Sequence, residues 1–129
     1  MTIELYYLAL VTVLTALLFV PYVLNRIAVR GIADTVGYPD NPKPQAPWAV
    51  RLQKAHGNAV ENLVVFATLV LIAEVAGVTG DGTAFAAQLY FWARAVHAIA
   101  YTLAWPWIRT LAFGAGLAAQ AVFALRLLG

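Results

Sequence analysis

Arg51, Lys54, Asn58, Glu61 and Asn62 follow one another at short intervals, and so do Tyr90, Arg94, His97 and Tyr101 further along the chain. Spacings of three and four put side chains on one face of a helix. The chain therefore carries one stripe of cations, amides and a carboxylate, and a second of a cation, an imidazole and phenols. Both stripes interrupt apolar runs, where ionisable groups are expensive and normally face a bundle interior or a wet cavity. Two accounts compete for them. In the first, Glu61 pairs with Arg94 as a structural ion pair that fixes helix register, because a buried charge needs such a partner. That explains one pair and leaves Lys54, Asn58 and Tyr101 on the same faces without a role. In the second, the stripes together form a site for a polar, carboxylate-bearing ligand.

Several other chemistries are excluded. The chain has no cysteine and no serine, which rules out disulfides, thiolate metal sites, cysteine nucleophiles and serine-based triads. His56 and His97 have no clear third ligand and read as hydrogen-bonding groups, so no metal is expected. The net charge is only +2 and the basic residues do not gather into a patch, so no nucleic-acid partner is expected. The glycine-rich turn at 77–82 lacks the strand context of a phosphate loop.

The elements that must position the stripes are membrane helices. The chain is 63% hydrophobic and 11% charged, where soluble domains carry about 25% charged residues, and the mean hydropathy is +0.78. A first apolar run covers about residues 3–25, with Pro21 placed to kink it. It is read as a retained helix and not a signal peptide, since Glu4 stands where a basic segment belongs and no cleavage site follows promptly. Prolines at 39, 42, 44 and 47 make about 26–47 a loop, with Pro47 opening the next helix. Helices of about 48–76, 83–104 and 108–128 follow, the third ending at Trp105-Pro106-Trp107. The expected fold is all-α: a single integral-membrane four-helix bundle.

Within that bundle, Ala112, Ala115, Gly116 and Ala119 suit close helix packing and equally suit a generic alanine-rich membrane helix. Glu74 is expected to snorkel or pair at its helix end, and Gln120 to act as interhelical glue. Trp48, Trp105 and Trp107 read as an interfacial belt. Arg26, Arg30, Lys43, Arg51, Lys54 and Arg109 fall on one side of the membrane and Arg126 on the other. That places the charged loops in the cytoplasm and both termini outside it.

The segment Arg51-Leu-Gln-Lys-Ala-His-Gly-Asn-Ala-Val-Glu-Asn62, with Phe66 beyond it, resembles the second-helix signature of the MAPEG superfamily, the membrane-associated proteins in eicosanoid and glutathione metabolism. Arg94-Ala-Val-His-Ala-Ile-Ala-Tyr101, followed by Pro106 and Arg109, is similar to that family's third-helix signature. The resemblance implies a homotrimer of four-helix protomers, with glutathione bound between subunits near the cytoplasmic side. It implies that Asn58, Glu61, Arg94 and Tyr101 bind glutathione, Glu61 facing the ligand's ammonium group, and that Arg109 stabilises the thiolate. Either Arg26 or Arg30 supplies a cation from the first helix. Lys54 stands where many members have arginine; it keeps the charge and loses the bidentate fork, which Arg51, one turn away, partly replaces.

The implied activity is a glutathione transferase or peroxidase for lipophilic electrophiles, with glutathione as co-substrate and no metal. Two rivals stand beside it. One is a non-catalytic member that binds a lipid or a partner protein. The other is a small proton-coupled exporter dependent on Glu61.

Overall fold

A computed structural model describes residues 1–129 as five helical segments without strands. α1 (Ile3–Leu17) opens on Thr2, whose Oγ1 accepts the Leu5 N–H at 3.2 Å and whose hydroxyl donates to the Glu74 carboxylate. α2 (Phe19–Val36) continues α1 after a break at Leu18. Proline lacks an N–H and its ring crowds the carbonyl four residues back; for Pro21 that carbonyl belongs to Leu17, where α1 stops. The expected kink is present and has this cause.

The rest of the first span differs from expectation. Helix continues to Val36, so the loop is 37–46 and not 26–47. Asn25, Arg26 and Arg30 mark a change of solvent, but nothing in 26–30 breaks a helix. Gly31 only kinks it, at φ 77°. The helix ends at Gly37, whose N–H closes onto the Ala33 carbonyl at 2.8 Å, just before Pro39. At about 1.5 Å per residue, the 34 residues of Ile3–Val36 reach about 51 Å, against a hydrocarbon core of about 30 Å. The polar residues therefore lie on a helix that projects beyond the membrane. The loop folds back along it: Gln45 donates to the Tyr22 carbonyl at 2.7 Å and accepts from Arg26 Nε at 3.1 Å, while Arg30 Nε donates to the Lys43 carbonyl at 2.8 Å.

α3 (Pro47–Ala76) begins with proline in its first turn, as expected, and ends at Gly77 in the left-handed conformation, φ 71°. α4 (Asp81–Thr102) and α5 (Pro106–Leu128) complete the bundle, each starting two residues before its expected boundary. α4 packs against α5, α1 and α3. Its outward flank and those of its neighbours are apolar: Val64, Phe85, Leu111 and Leu125 are each more than 60% exposed. Such surface belongs in lipid or against another protein. Ile3–Val36, α3 and α5 are long and apolar enough to cross a membrane. α4 carries Gln88, Arg94 and His97 among its 22 residues; Arg94 and His97 are buried inside the bundle, and Gln88 bonds back to the Ala84 carbonyl.

The apolar core occupies one half of the bundle. Phe66 stacks flat on Tyr90 with ring centroids 3.8 Å apart, and Phe123 meets Phe66 edge-on at 5.7 Å. Leu8, Val11, Val70, Ala86, Ala87 and Ala119 close around them. The other half buries small apolar residues, among them Ala49, Leu52, Ala55, Ala59 and Ala100, together with Arg94 and His97.

Candidate functional site

α3 brings Arg51 and Asn58, α4 brings His97 and Tyr101, and α5 brings Arg109, Thr110 and Phe113 to two adjoining clefts, with Arg94 of α4 bonded to Asn58 behind them. One, of about 250 Å³, lies between Arg51, Tyr101, Trp105, Pro106 and Arg109. The other, of about 330 Å³, lies between Asn58, His97, Tyr101, Arg109, Thr110 and Phe113. Tyr101 and Arg109 belong to both, and no carboxylate lines either. The Arg109 guanidinium sits 5.0 Å above the centre of the Tyr101 ring, within the range where a cation is attracted to an aromatic face.

Arg94 lies at the base of this region, 4% exposed. One terminal nitrogen donates to Asn58 Oδ1 at 2.7 Å, and its Nε has no partner. Glu61 stands exposed on α3, so the expected Glu61–Arg94 pair is replaced by an arginine–amide contact. Amides support that contact from behind: Asn62 donates to the Asn58 carbonyl at 2.9 Å, and Gln120 donates to the Asn62 carbonyl at 3.2 Å. Gln120 is thus interhelical glue, as its isolation on an apolar helix suggests. The small face of α5 is a packing face: Ala112, Gly116 and Ala119 are buried, and a methyl on Gly116 would meet Arg94 Cδ at 3.7 Å.

The helix-3 stripe of the sequence is split by the structure. Arg51 and Asn58 reach across to α4 and Asn62 bonds back along α3 to Asn58, whereas Lys54 and Glu61 are exposed. Arg51 has a structural duty as well, since its Nε donates to the Thr102 carbonyl at 2.9 Å. A cation there satisfies a carbonyl left open at a helix C-terminus and opposes the helix dipole. Arg26 and Arg30 clasp the 37–46 loop, and neither lines the clefts.

Sequence reasoning passed over part of the lining. His97 was assigned to ordinary hydrogen bonding, yet it is 3% exposed with no partner at Nδ1, its ring 5.7 Å from Tyr101 and 6.2 Å from Phe113. The sequence places it on the polar stripe of Tyr90, Arg94 and Tyr101 without giving it a part in binding. Thr110 and Phe113 carry no such signal. His56 does behave as expected, sharing a hydrogen bond of 2.8 Å with the Tyr22 hydroxyl.

The corner that shapes the first cleft is a tight helix ending. The Trp105 N–H bonds to the Ala100 carbonyl at 2.8 Å and the Ala104 N–H to the Tyr101 carbonyl at 3.3 Å. This pairing is the Schellman motif, which places one residue in the left-handed region and favours glycine there. Here that residue is Ala104, at φ 60°. The corner sets Trp105 and Pro106 against Tyr101 and Arg109.

A profile of the MAPEG family matches residues 5–129, effectively the whole chain. The chain belongs to the MAPEG family. No curated protein matches it. Membership agrees with the helical membrane bundle and with a protein of the glutathione and eicosanoid kind. In this MAPEG chain the two signature blocks meet at the contact between Asn58 and Arg94. Arg51 and Arg109, unaccompanied by acids, favour anionic groups in the clefts, Arg94 stands behind them through its bond to Asn58, and Tyr101 and Phe113 give the clefts partly apolar walls.

Proposed function

We propose that this MAPEG protein is a glutathione-dependent transferase or peroxidase acting on lipophilic electrophiles, with glutathione as co-substrate and no metal. The observation that carries the reading is Arg94: a buried cation with one amide partner, an orphan Nε, and no acid in the adjoining clefts. Burying a charge without an opposite charge is unfavourable, and a ligand carboxylate would relieve it. Arg51 and Arg109 favour a second anionic group, and Asn58 and Tyr101 offer hydrogen bonds between them.

The chemistry then needs little else. A free thiol has a pKa near about 8.5 and is mostly protonated at neutral pH, and an adjacent guanidinium lowers it. Arg109, held over the Tyr101 ring, is the cation assigned that task. The thiolate would attack an electrophile dissolved in the bilayer beside the cleft.

Lys54 and Glu61 serve this reading only if a neighbouring copy completes the site, because they point away from the clefts of their own protomer. We therefore take the functional unit to be a homotrimer. Arg26 and Arg30 retain their terminal guanidinium nitrogens for the ligand beyond the loop contacts of Nε. The clefts would lie near the cytoplasmic face, with both termini on the other side.

The test is thiolate absorbance on adding glutathione to the purified protein, together with a calorimetric titration. Absorbance that appears in the native protein and is lost in Arg109→Ala supports the reading. Binding with no thiolate would point to a non-catalytic member, and no binding at all would defeat the proposal.

A further inference from the structure

Two guanidiniums in the first cleft are held by contacts that leave their charge unopposed. Arg51 is anchored through Nε, which donates to the Thr102 carbonyl at 2.9 Å, and its terminal nitrogens are left to a ligand. Arg109 rests over the Tyr101 ring, 5.0 Å from its centre. Both line the cleft of about 250 Å³, and no carboxylate does. Most other arginines are committed elsewhere. Arg26 and Arg30 clasp the 37–46 loop, Arg94 is buried against Asn58, and Arg126 lies over the α3–α4 turn, where a methyl on Gly82 would meet it at 3.4 Å. The cleft also has a fixed depth. The 22 residues of α4 reach about 33 Å at about 1.5 Å per residue, close to the hydrocarbon thickness of about 30 Å. The corner between α4 and α5 therefore comes to a bilayer surface. Trp105 and Trp107, 47% and 79% exposed, flank it, and tryptophan collects at the level of the headgroups.

We propose that this cleft is a headgroup site for an anionic phospholipid, whose phosphate is held by Arg51 and Arg109, and that the lipid competes there with glutathione. Basic pockets between helices at the membrane surface suit such headgroups, and the planar guanidinium fork matches phosphate oxygens. Trp105 and Pro106 form an apolar side of the cleft against which the glycerol ester region lies. A zwitterionic headgroup would bring an ammonium to a cleft with no carboxylate to receive it, so lipids of net negative charge are favoured. Free phosphate shares the chemistry but lacks the tails that keep a lipid phosphate at this depth. The headgroup site stands by itself. The competition rests on the glutathione reading above, in which Arg51 and Arg109 serve the anionic groups of the thiol substrate.

Two measurements on the full-length protein test this, one of which does not involve glutathione. In the first, the protein is taken from nanodiscs of mixed phosphatidylcholine and phosphatidylglycerol into mild detergent, and the retained lipids are weighed by native mass spectrometry. Phosphatidylglycerol should be retained in preference. The preference should fall about fivefold in Arg51→Gln and in Arg109→Gln, the effect of losing one basic group beside an anionic headgroup. It should hold in Lys43→Gln, which removes the same charge from the exposed loop at the same end of the bundle. If Arg51→Gln does not fold without its Thr102 contact, the comparison of Arg109→Gln with Lys43→Gln decides. No preference for phosphatidylglycerol, equal falls in all variants, or a folded arginine variant that keeps the preference overturns the proposal.

In the second, glutathione is titrated calorimetrically into nanodiscs of phosphatidylcholine alone, of phosphatidylcholine with phosphatidylglycerol, and of phosphatidylcholine in millimolar inorganic phosphate. Affinity should fall about threefold or more when phosphatidylglycerol enters the bilayer, as expected when an occupied competitor must first leave. In Arg109→Gln the fall should shrink to the general repulsion of an anionic surface, which added salt screens. A fall of the same size in native protein and Arg109→Gln overturns the competition. Inorganic phosphate should leave the affinity unchanged; phosphate as effective as the lipid assigns the cleft to a free anion and overturns the headgroup site. If no glutathione binds even in phosphatidylcholine alone, the glutathione reading has failed, and the lipid retention still decides whether the cleft holds a headgroup.

Discussion

The two halves of this bundle are built on opposite principles. Toward the termini, Phe66, Tyr90 and Phe123 interlock with Leu8, Val11 and Val70, and the polar groups there are engaged apart from the buried Tyr90 hydroxyl, which has no partner. Thr83 accepts the Gly80 N–H at 2.8 Å and lies 3.3 Å from the buried Glu4 carboxylate, while Glu74 receives the Thr2 hydroxyl. Toward the loop, the bundle buries Arg94 and His97 with polar atoms left over. The helix corners repeat the contrast. α3 ends in a Schellman turn with Gly77 in the left-handed position, whereas α4 ends in the same turn with Ala104 there. One half is a close-packed core with a single neutral hydroxyl left unpaired. The other retains strain and unmet hydrogen-bonding capacity, the usual condition of a site awaiting a ligand.

The sharpest way to separate the halves is to damage each where it is most committed. Phe66→Ala removes a ring that is 0% exposed and should cost about 3–5 kcal/mol of stability, read as a lower unfolding midpoint in detergent. Glutathione should still bind to whatever fraction stays folded. Arg109→Ala should lower turnover by about 100-fold or more, the scale seen when a group that stabilises developing negative charge is removed, with the unfolding midpoint little changed. Arg126→Ala, the same change at the opposite end of α5, should leave turnover within about twofold. Equal losses in the two arginine variants would mean that net charge, and not position, sets activity.

Arg94→Met sharpens the comparison further, because one substitution should move stability and binding in opposite directions. Methionine fills the same space without a charge to desolvate, so the midpoint should rise. Glutathione affinity should fall by about tenfold or more, the value of a hydrogen bond to a charged group. A midpoint that falls instead would show Arg94 to be a structural residue whose contact with Asn58 outweighs its burial.

Much of this division was legible in the sequence, and the exceptions have physical causes. Helix-breaking residues are local signals, so Pro21, Pro47, Gly77 and Pro106 located the breaks and starts closely. The extension of α2 to Val36 was missed because polarity was read as the end of the helix, when it marked only the end of the membrane. Periodicity put Arg51, Lys54, Asn58, Glu61 and Asn62 on one stripe. A stripe on a helix this wide, however, straddles the boundary between the bundle interior and its flank, so Lys54 and Glu61 fall outside. Arg26 and Arg30 looked like free cations because their partners, Gln45 and the Lys43 carbonyl, lie in a loop whose return path no local pattern encodes. The alanine corner was invisible for a related reason: alanine is the best helix former, and only tertiary structure forces Ala104 to φ 60°.

That corner yields the smallest predicted effect and the most direct test of whether strain belongs to the site. At Gly77, φ is 71° and a methyl group would meet no other atom, so Gly77→Ala isolates the backbone penalty. It should cost about 1 kcal/mol. Ala104→Gly makes the reverse change in the same motif and should recover up to about 1 kcal/mol, less the extra entropy that glycine brings to the unfolded chain. If the α4–α5 corner serves only as a turn, turnover should follow stability and improve slightly. If its stiffness holds Trp105 and Pro106 against Tyr101 and Arg109, Ala104→Gly should raise the unfolding midpoint while increasing KM for the electrophile by about two- to threefold, since small displacements of a positioned group are costly in rate. The two outcomes differ in sign, so even an effect of this size decides between them.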